Sequence, residues 1–242
     1  MDKEKYINST KFIYDTLEPV LEKRAEYLKS LYYSISPRTS LGSTYLDIGA
    51  GTTSNGKVFG KSFKEVIILD LNNIELSLED YKRGIKFIQG DARNLPFENN
   101  SMDLVTLISI IEHIPHPWVA LGEAKKVTRS KGEIVIQVPS IFIPIDLHTG
   151  VLNPFWFPRS IRKFYTTLMG FPNYTNEVFS LPTKKDLVRW IEEYNIKLIG
   201  YRKVIYPTNF VPPILRPIYW ILLKVGILNL IPLGHLYVFR KQ

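Results

Sequence analysis

The chain contains no cysteine, which excludes disulfides and thiolate metal sites together. Histidine is sparse. His113, His116, His148 and His235 are the full set, no zinc spacing links them, and no metal site is expected. Long Lys/Arg blocks and RNA-binding module patterns are both missing, so no nucleic-acid partner is expected. The segment Met1-Asp2-Lys3-Glu4-Lys5 is charged and has no apolar h-region, so the expectation is a cytoplasmic protein without a signal peptide. An uninterrupted stretch of about 20 apolar residues, which a spanning helix needs, does not occur either.

What is present is enough for a substantial core: 242 residues, 45% of them hydrophobic, pointing to one large domain with insertions. The net charge is +8 and the pI about 9.4. Such a balance fits a solvated basic surface or a protein that approaches an anionic membrane.

Three apolar runs each end near a carboxylate. Tyr45-Leu46-Asp47-Ile48 opens into Gly49-Ala50-Gly51-Thr52-Thr53, Asp70 closes Val66-Ile67-Ile68-Leu69, and Asp91 follows Phe87-Ile88-Gln89-Gly90. In a parallel α/β sheet the strand ends lie side by side, and ligands bind in the crevice beyond them. Three carboxylates there suit ribose hydroxyls, an exocyclic amine and a cationic group. Gly49-x-Gly51-x-x-Ser54 nearly fits the dinucleotide fingerprint, with Asp70 near the place of its ribose acid. Asp47, however, sets an anion where a pyrophosphate needs positive potential, and the third glycine is absent. A ligand carrying an ammonium and a sulfonium is favoured over a dinucleotide, and a nicotinamide oxidoreductase is disfavoured.

Leu46-Asp47-Ile48-Gly49-Ala50-Gly51-Thr52 resembles the first motif of class I S-adenosylmethionine-dependent methyltransferases. Asp70 resembles their ribose acid. Gly90-Asp91-Ala92, then Leu95-Pro96-Phe97 and Ser101-Met102-Asp103-Leu104-Val105, resemble the adenine segment and the entry to the fourth strand. Ile110-Ile111-Glu112-His113-Ile114 resembles the turn after it. The likeness covers roughly residues 43–140 and is greatest to the small-molecule, quinone-biosynthesis branch. Thr53 departs from it, standing where many members have glycine. The resemblance implies S-adenosyl-L-methionine as cofactor, with contacts from Asp47, Gly49, Gly51, Asp70, Leu71, Asp91, Ala92 and Ser109. The implied activity is methyl transfer to a small or lipid-linked acceptor. A sugar or soluble-metabolite acceptor is the alternative, as is a non-catalytic relative that keeps the fold.

The expected fold is α/β: a doubly wound, mostly parallel seven-stranded sheet with an antiparallel C-terminal edge hairpin and two insertions. One domain spans 1–242, with an N-terminal helical cap over 1–42. Ile13, Leu17, Leu21, Leu28 and Leu31 recur there at helical spacing. Strands are expected at 44–48, 66–70, 85–89, 103–109, 133–138, 197–205 and 235–240. Helices are expected near 54–61, 74–82 and 117–128, the last closed by Arg129-Ser130-Lys131-Gly132 with a C′ glycine. Glu112 reads as a cap for that helix or as a group near the sulfonium. Thr183-Lys184-Lys185-Asp186 opens a further helix, with Leu187, Val188 and Ile191 as its stripe and Asn195 as its end.

Residues 140–182 form a lid-like insertion rich in proline and aromatic residues, among them Phe155, Trp156 and Phe157. Within it Asp146 and His148 are two apart and share a face if extended. With His113 they are the candidates for a general base, should the acceptor be a phenol or alcohol. The second insertion, 207–234, is apolar around one helix of about 14 residues, with Arg216, Tyr219, Trp220 and Lys224 near its rim. A membrane-interface helix, a substrate lid and a core helix all fit it.

Overall fold

The computed structural model describes residues 19–37, 43–140, 158–168, 182–211, 213 and 216–242. Five parallel strands, β1 (Thr44–Ile48), β2 (Glu65–Asp70), β3 (Ile85–Gln89), β4 (Met102–Ile108) and β5 (Thr128–Pro139), form most of one sheet. Between β5 and β6 (Ile196–Val204) lies β7 (Gly234–Lys241), antiparallel to both. The order is β3-β2-β1-β4-β5-β7-β6. It reverses between β1 and β4, where a crevice opens beyond the strand ends.

The helices are α1 over residues 19–33, α2 (Ser54–Phe59), α3 (Leu78–Lys82), α4 (Pro117–Val127), α5 (Arg159–Leu168), α6 (Lys184–Tyr194), α7 (Arg216–Lys224) and α8 (Ile227–Leu230). They cover both sheet faces, as parallel strands buried on two sides require. Ala25, Leu28 and Tyr32 of α1 and Val58 and Phe59 of α2 pack with Tyr45, Ile68, Leu104 and Val135 on one face. Leu121, Ala124 and Val127 of α4 and Leu187 and Trp190 of α6 pack with Leu46, Val105 and Ile134 on the other.

Local chemistry accounts for both ends of α6 and the start of α3. Thr183 and Asp186 form the expected reciprocal cap on α6: Thr183 N donates to Asp186 Oδ2 at 3.0 Å, and Asp186 N donates to Thr183 Oγ1 at 3.3 Å. Asn195 follows the last turn in the left-handed region, φ 52°. The helix expected from residue 74 starts only at Leu78, because Ser77 and Asp80 form a capping box at that point.

The helix end expected at Arg129–Gly132 is not there. α4 stops at Val127 and the chain enters β5 directly, with a register shift against β4 between Met102 and Leu104. Lys131, not Gly132, takes a positive φ, 63°. Gly132 is needed for a different reason: a Cβ there would stand 2.9 Å from Arg129 O and 3.1 Å from Asp103 O. Besides Lys125 and Lys126 in its own last turn, the α4 C-terminus receives a cation from β7. Lys241 Nζ donates to Lys125 O at 2.8 Å and Thr128 O at 2.7 Å. Burial, with Lys125 nearby, lowers the Lys241 pKa.

The apolar insertion also differs from the expected single helix. It is the pair α7 and α8, broken at Gly226 with φ 77°. Tyr219 and Leu228 anchor it, whereas Ile218 (60% exposed), Trp220 (53%), Val225 (63%) and Leu230 (80%) face outward. That excludes the core reading. No helix among the described residues is long and apolar enough to cross a membrane. Of the lid-like insertion, α5 is described; Asp146, His148, Phe155, Trp156 and Phe157 lie outside the described residues.

Candidate active site

The crevice is built from the ends of β1, β2 and β3 and the turn after β4. Gly49 (φ 71°) and Gly51 (φ 57°) both take the left-handed conformation that glycine adopts without a steric penalty. A Cβ on Gly49 would lie 2.1 Å from Ile110 Cγ1, so the turn after β4 closes onto the glycine loop. At Gly51 a Cβ would meet nothing within 4 Å, and the loop is open there to a ligand.

Asp47 is 1% exposed. The parallel register sets it beside Thr106, whose Oγ1 donates to Asp47 Oδ1 at 2.5 Å. Thr106 Oγ1 in turn contacts Tyr45 OH at 2.8 Å. Among the described residues no hydrogen bond reaches Asp47 Oδ2, although the Asn55 side chain is near enough to help lower the carboxylate's pKa. Burial raises the Asp47 pKa from 3.8 to about 7, against the opposing effect of the Thr106 hydrogen bond. A buried acceptor atom left open in this way suits a cation that brings its own charge and donors.

Asp70, 9% exposed, accepts from Gly51 N through Oδ2 at 2.9 Å and from Asn72 N through Oδ1 at 2.9 Å. One carboxylate therefore ties the glycine loop to the end of β2, and its remaining lone pairs stay available. Asp91 stands beyond β3 in a bidentate pair with Arg93, Nε–Oδ1 3.0 Å and Nη2–Oδ2 2.6 Å, which lowers its pKa. Both side chains are at least a third exposed, so solvent screens the pair and it is little obstacle to a ligand amine.

Leu71 is 65% exposed beside Asp70, and Ala92 packs partly against the core. His113 sits in a 3-10 turn, Ile111–His113, with Nε2 4.0 Å from Glu112 Oε1. Glu112 is buried in that turn, ahead of α4. The N-cap position there belongs to His116, with Pro117 as the first helical residue.

The family model described as "Methyltransferase domain" matches residues 46–136. Among similar proteins, the demethylmenaquinone methyltransferase of Renibacterium salmoninarum is 27% identical over 167 residues, covering 67% of this chain and 70% of the relative. The ubiquinone/menaquinone biosynthesis C-methyltransferase UbiE of Brucella canis is 26% identical over 184 residues, covering 69% of this chain and 67% of the relative. The matched domain, these relatives and the sheet order together support a class I S-adenosylmethionine-dependent methyltransferase. Its fold also resembles that of Haemonchus contortus phosphoethanolamine N-methyltransferase 2 in complex with S-adenosyl-L-methionine, with a TM-score of 0.55 and 14% identity over 88% of this chain and 52% of that one.

The residues of this methyltransferase fit the cofactor its family implies. The open Oδ2 of Asp47 suits an ammonium, the free approach over Gly51 leaves room for a ligand, and the sheet order sets Asp47, Asp70 and Asp91 at the ends of neighbouring strands. Ser109, expected among the cofactor contacts, follows β4 directly and hydrogen-bonds through its side chain. It takes a positive φ, 51°, and its Oγ donates to Gln137 Oε1 at 2.6 Å while accepting from Arg24 Nη2 at 2.5 Å. Thr106, Gln137 and Arg24 were not legible as site residues. Each owes its place to strand register or helix docking, and neither leaves a periodic trace in the sequence.

Proposed function

We propose that this methyltransferase methylates an apolar, lipid-linked acceptor of the quinone type while seated on an anionic membrane surface. The exposed apolar face of α7 and α8 carries this reading. The pair leaves the sheet where Val204 and Pro139 both pair with Gly234, at the edge where the parallel strands end. An apolar surface thus stands at the same edge as the carboxylates. Arg216 and Lys224 are exposed on it, and Lys224 Nζ lies 5.1 Å from the Trp220 ring. Such a face can enter the headgroup layer with its cations toward anionic lipid. The relatives whose names specify quinones support the acceptor class.

In this reading Asp47 takes the ammonium of the cofactor, Asp70 the ribose hydroxyls and Asp91 the adenine amine, with Gly49, Gly51, Leu71 and Ala92 lining the remainder. When bound, S-adenosylmethionine supplies a methyl carbon on a positively charged sulfur. The protein's main contribution is alignment of that carbon with the acceptor, worth ~7–11 kcal/mol when the geometry is near-attack. His113, half-buried in the turn after β4, is the described candidate to take an acceptor proton.

Two results are expected. S-adenosylhomocysteine should raise the melting temperature, adding about 2.7 kcal/mol at 100 times its Kd. Stabilisation by NAD instead would reverse the cofactor assignment. This binding should also depend on pH. Without ligand, folded Asp47 keeps its proton to about pH 7, while the unfolded chain loses it near 3.8. That contribution to stability falls as pH rises between those values. A ligand ammonium needs the ionised form, so calorimetry should find tighter binding at about pH 8 than at about pH 6.

The protein should also co-sediment with phosphatidylglycerol-containing vesicles, less so at high salt. Trp220→Glu should stay folded, because Trp220 is half exposed, and should leave the vesicles. A parent protein that ignores vesicles would end the membrane reading and leave this face to a lid or a second copy of the chain.

A further inference from the structure

A second polar cluster stands at the same sheet edge, on the far side of the β1/β4 crevice. Arg24 of α1 donates from Nε to Tyr206 OH at 3.0 Å, and from Nη2 to Ser109 Oγ at 2.5 Å and Gln137 Oε1 at 3.0 Å. Ser109 is the first residue beyond β4, Gln137 lies near the end of β5, and Tyr206 follows β6 by two residues. Gln137 is 3% exposed. Strand alternation puts Asp47, Thr106 and Gln137 on the sheet face that α1 covers.

The partners of Arg24 are all neutral. Among the described residues no carboxylate pairs with it, and Nη1 donates to none of them while remaining outside the set of buried unpaired atoms. A partly buried guanidinium held by neutral acceptors meets no counter-charge among them and has donors to spare. Helix stapling alone would not require a cation. A hydroxyl and an amide could be joined by another neutral donor, without the desolvation cost of a charge.

Aromatic rings adjoin it. Tyr206 lies 5.5 Å from Tyr27 and 5.5 Å from Phe210, centroid to centroid, and Tyr219 OH of α7 donates to Tyr206 O. Asp47, Asp70 and Asp91, the last paired with Arg93, stand at the ends of β1–β3, Glu112 is buried in the turn after β4, and Arg24 with an aromatic wall stands over β4–β5.

We propose that Arg24 is a specificity-determining residue that receives an ionised ring oxygen of the aromatic acceptor, phenolate or enolate, through its unused donors. This rests on the reading of the site as a methyl-transfer centre with an aromatic acceptor. The carboxylates hold the cationic donor on one side, and Arg24 holds the anionic acceptor on the other. Ser109 and Gln137 act as positioning residues that aim the guanidinium, which gives the left-handed backbone of Ser109 a purpose.

The test uses the full chain saturated with S-adenosylhomocysteine and titrated calorimetrically with 2-hydroxy-1,4-naphthoquinone, an acidic enol ionised at neutral pH, and with its uncharged methyl ether. The ionised probe should bind about ten-fold tighter or more, the effect of one charge-assisted hydrogen bond. Arg24→Gln should erase that preference without changing S-adenosylhomocysteine affinity, and Arg24→Lys should keep part of it. The unchanged cofactor affinity shows that both variants are folded, and a purely structural Arg24 would not alter selectivity between the probes. Equal affinity of the parent for the two probes, binding of neither, or a preference that survives Arg24→Gln would each overturn the inference. A parent that fails to bind S-adenosylhomocysteine would instead remove the methyltransferase reading beneath it.

Discussion

Asp70→Ala should weaken S-adenosylhomocysteine binding by ~2–4 kcal/mol, the sum of two charged hydrogen bonds at ~1.5–3 kcal/mol each with partial overlap. That corresponds to roughly 30-fold to 1000-fold in Kd. The structure adds a second reason for a large effect. Asp70 also accepts from Gly51 N and Asn72 N, so its loss releases the glycine loop from β2 as well as removing the proposed ribose partner. Asp70→Asn should lie between parent and alanine, since an amide oxygen can hold one backbone N–H and one hydroxyl. Isothermal titration would decide it. An alanine variant that binds as tightly as the parent would mean that the ribose is held elsewhere.

The largest effect on stability is expected at Glu133, far from the crevice. It is 1% exposed on β5 and accepts from Tyr32 OH at 2.7 Å, Ser36 Oγ at 2.9 Å and Arg240 Nη2 at 2.6 Å. One carboxylate thereby joins α1, β5 and β7. Removing one partner of a buried ion pair costs about 3–5 kcal/mol, because the other charge is left without compensation. Here the lower part of that range applies, since the Arg240 side chain is 34% exposed. Against a typical domain stability of about 5–15 kcal/mol the loss is severe. Glu133→Ala should lower the urea midpoint with little change in slope, and Glu133→Gln should recover part of the loss through Tyr32 and Ser36. A midpoint within error of the parent would show that the cluster contributes nothing net.

The glycine loop and the three carboxylates were legible because each lies within a local pattern: an apolar run, its last residue and a turn. Strands β1 and β3 were bounded correctly at both ends for the same reason, and the Thr183–Asp186 cap declared the start of α6. The errors came where a distant element decides a local outcome. Arg129–Gly132 has the composition of a helix end, yet Lys241 of β7 supplies a cation there, and the backbone of Asp103 crowds Gly132. Periodicity could not separate core from surface in 207–234 either. Apolar residues surround the helix, and only its docking through Tyr219 and Leu228 decides which of them face outward.

By itself, the sequence determined the strand–helix alternation, the parallel sheet and the acidic half of the crevice. Hydrophobic period, turn glycines and capping pairs act over a few residues and are written into neighbouring positions. Tertiary structure alone decided that Thr106 holds Asp47, that Asp47 keeps one oxygen open, and that Arg24 stands over β4 and β5. Arg24 meets Ser109, Gln137 and Tyr206 across 85, 113 and 182 positions of chain. Such contacts follow from strand order and helix docking, which are settled by burying the whole core at once, and no local pattern in the chain encodes them.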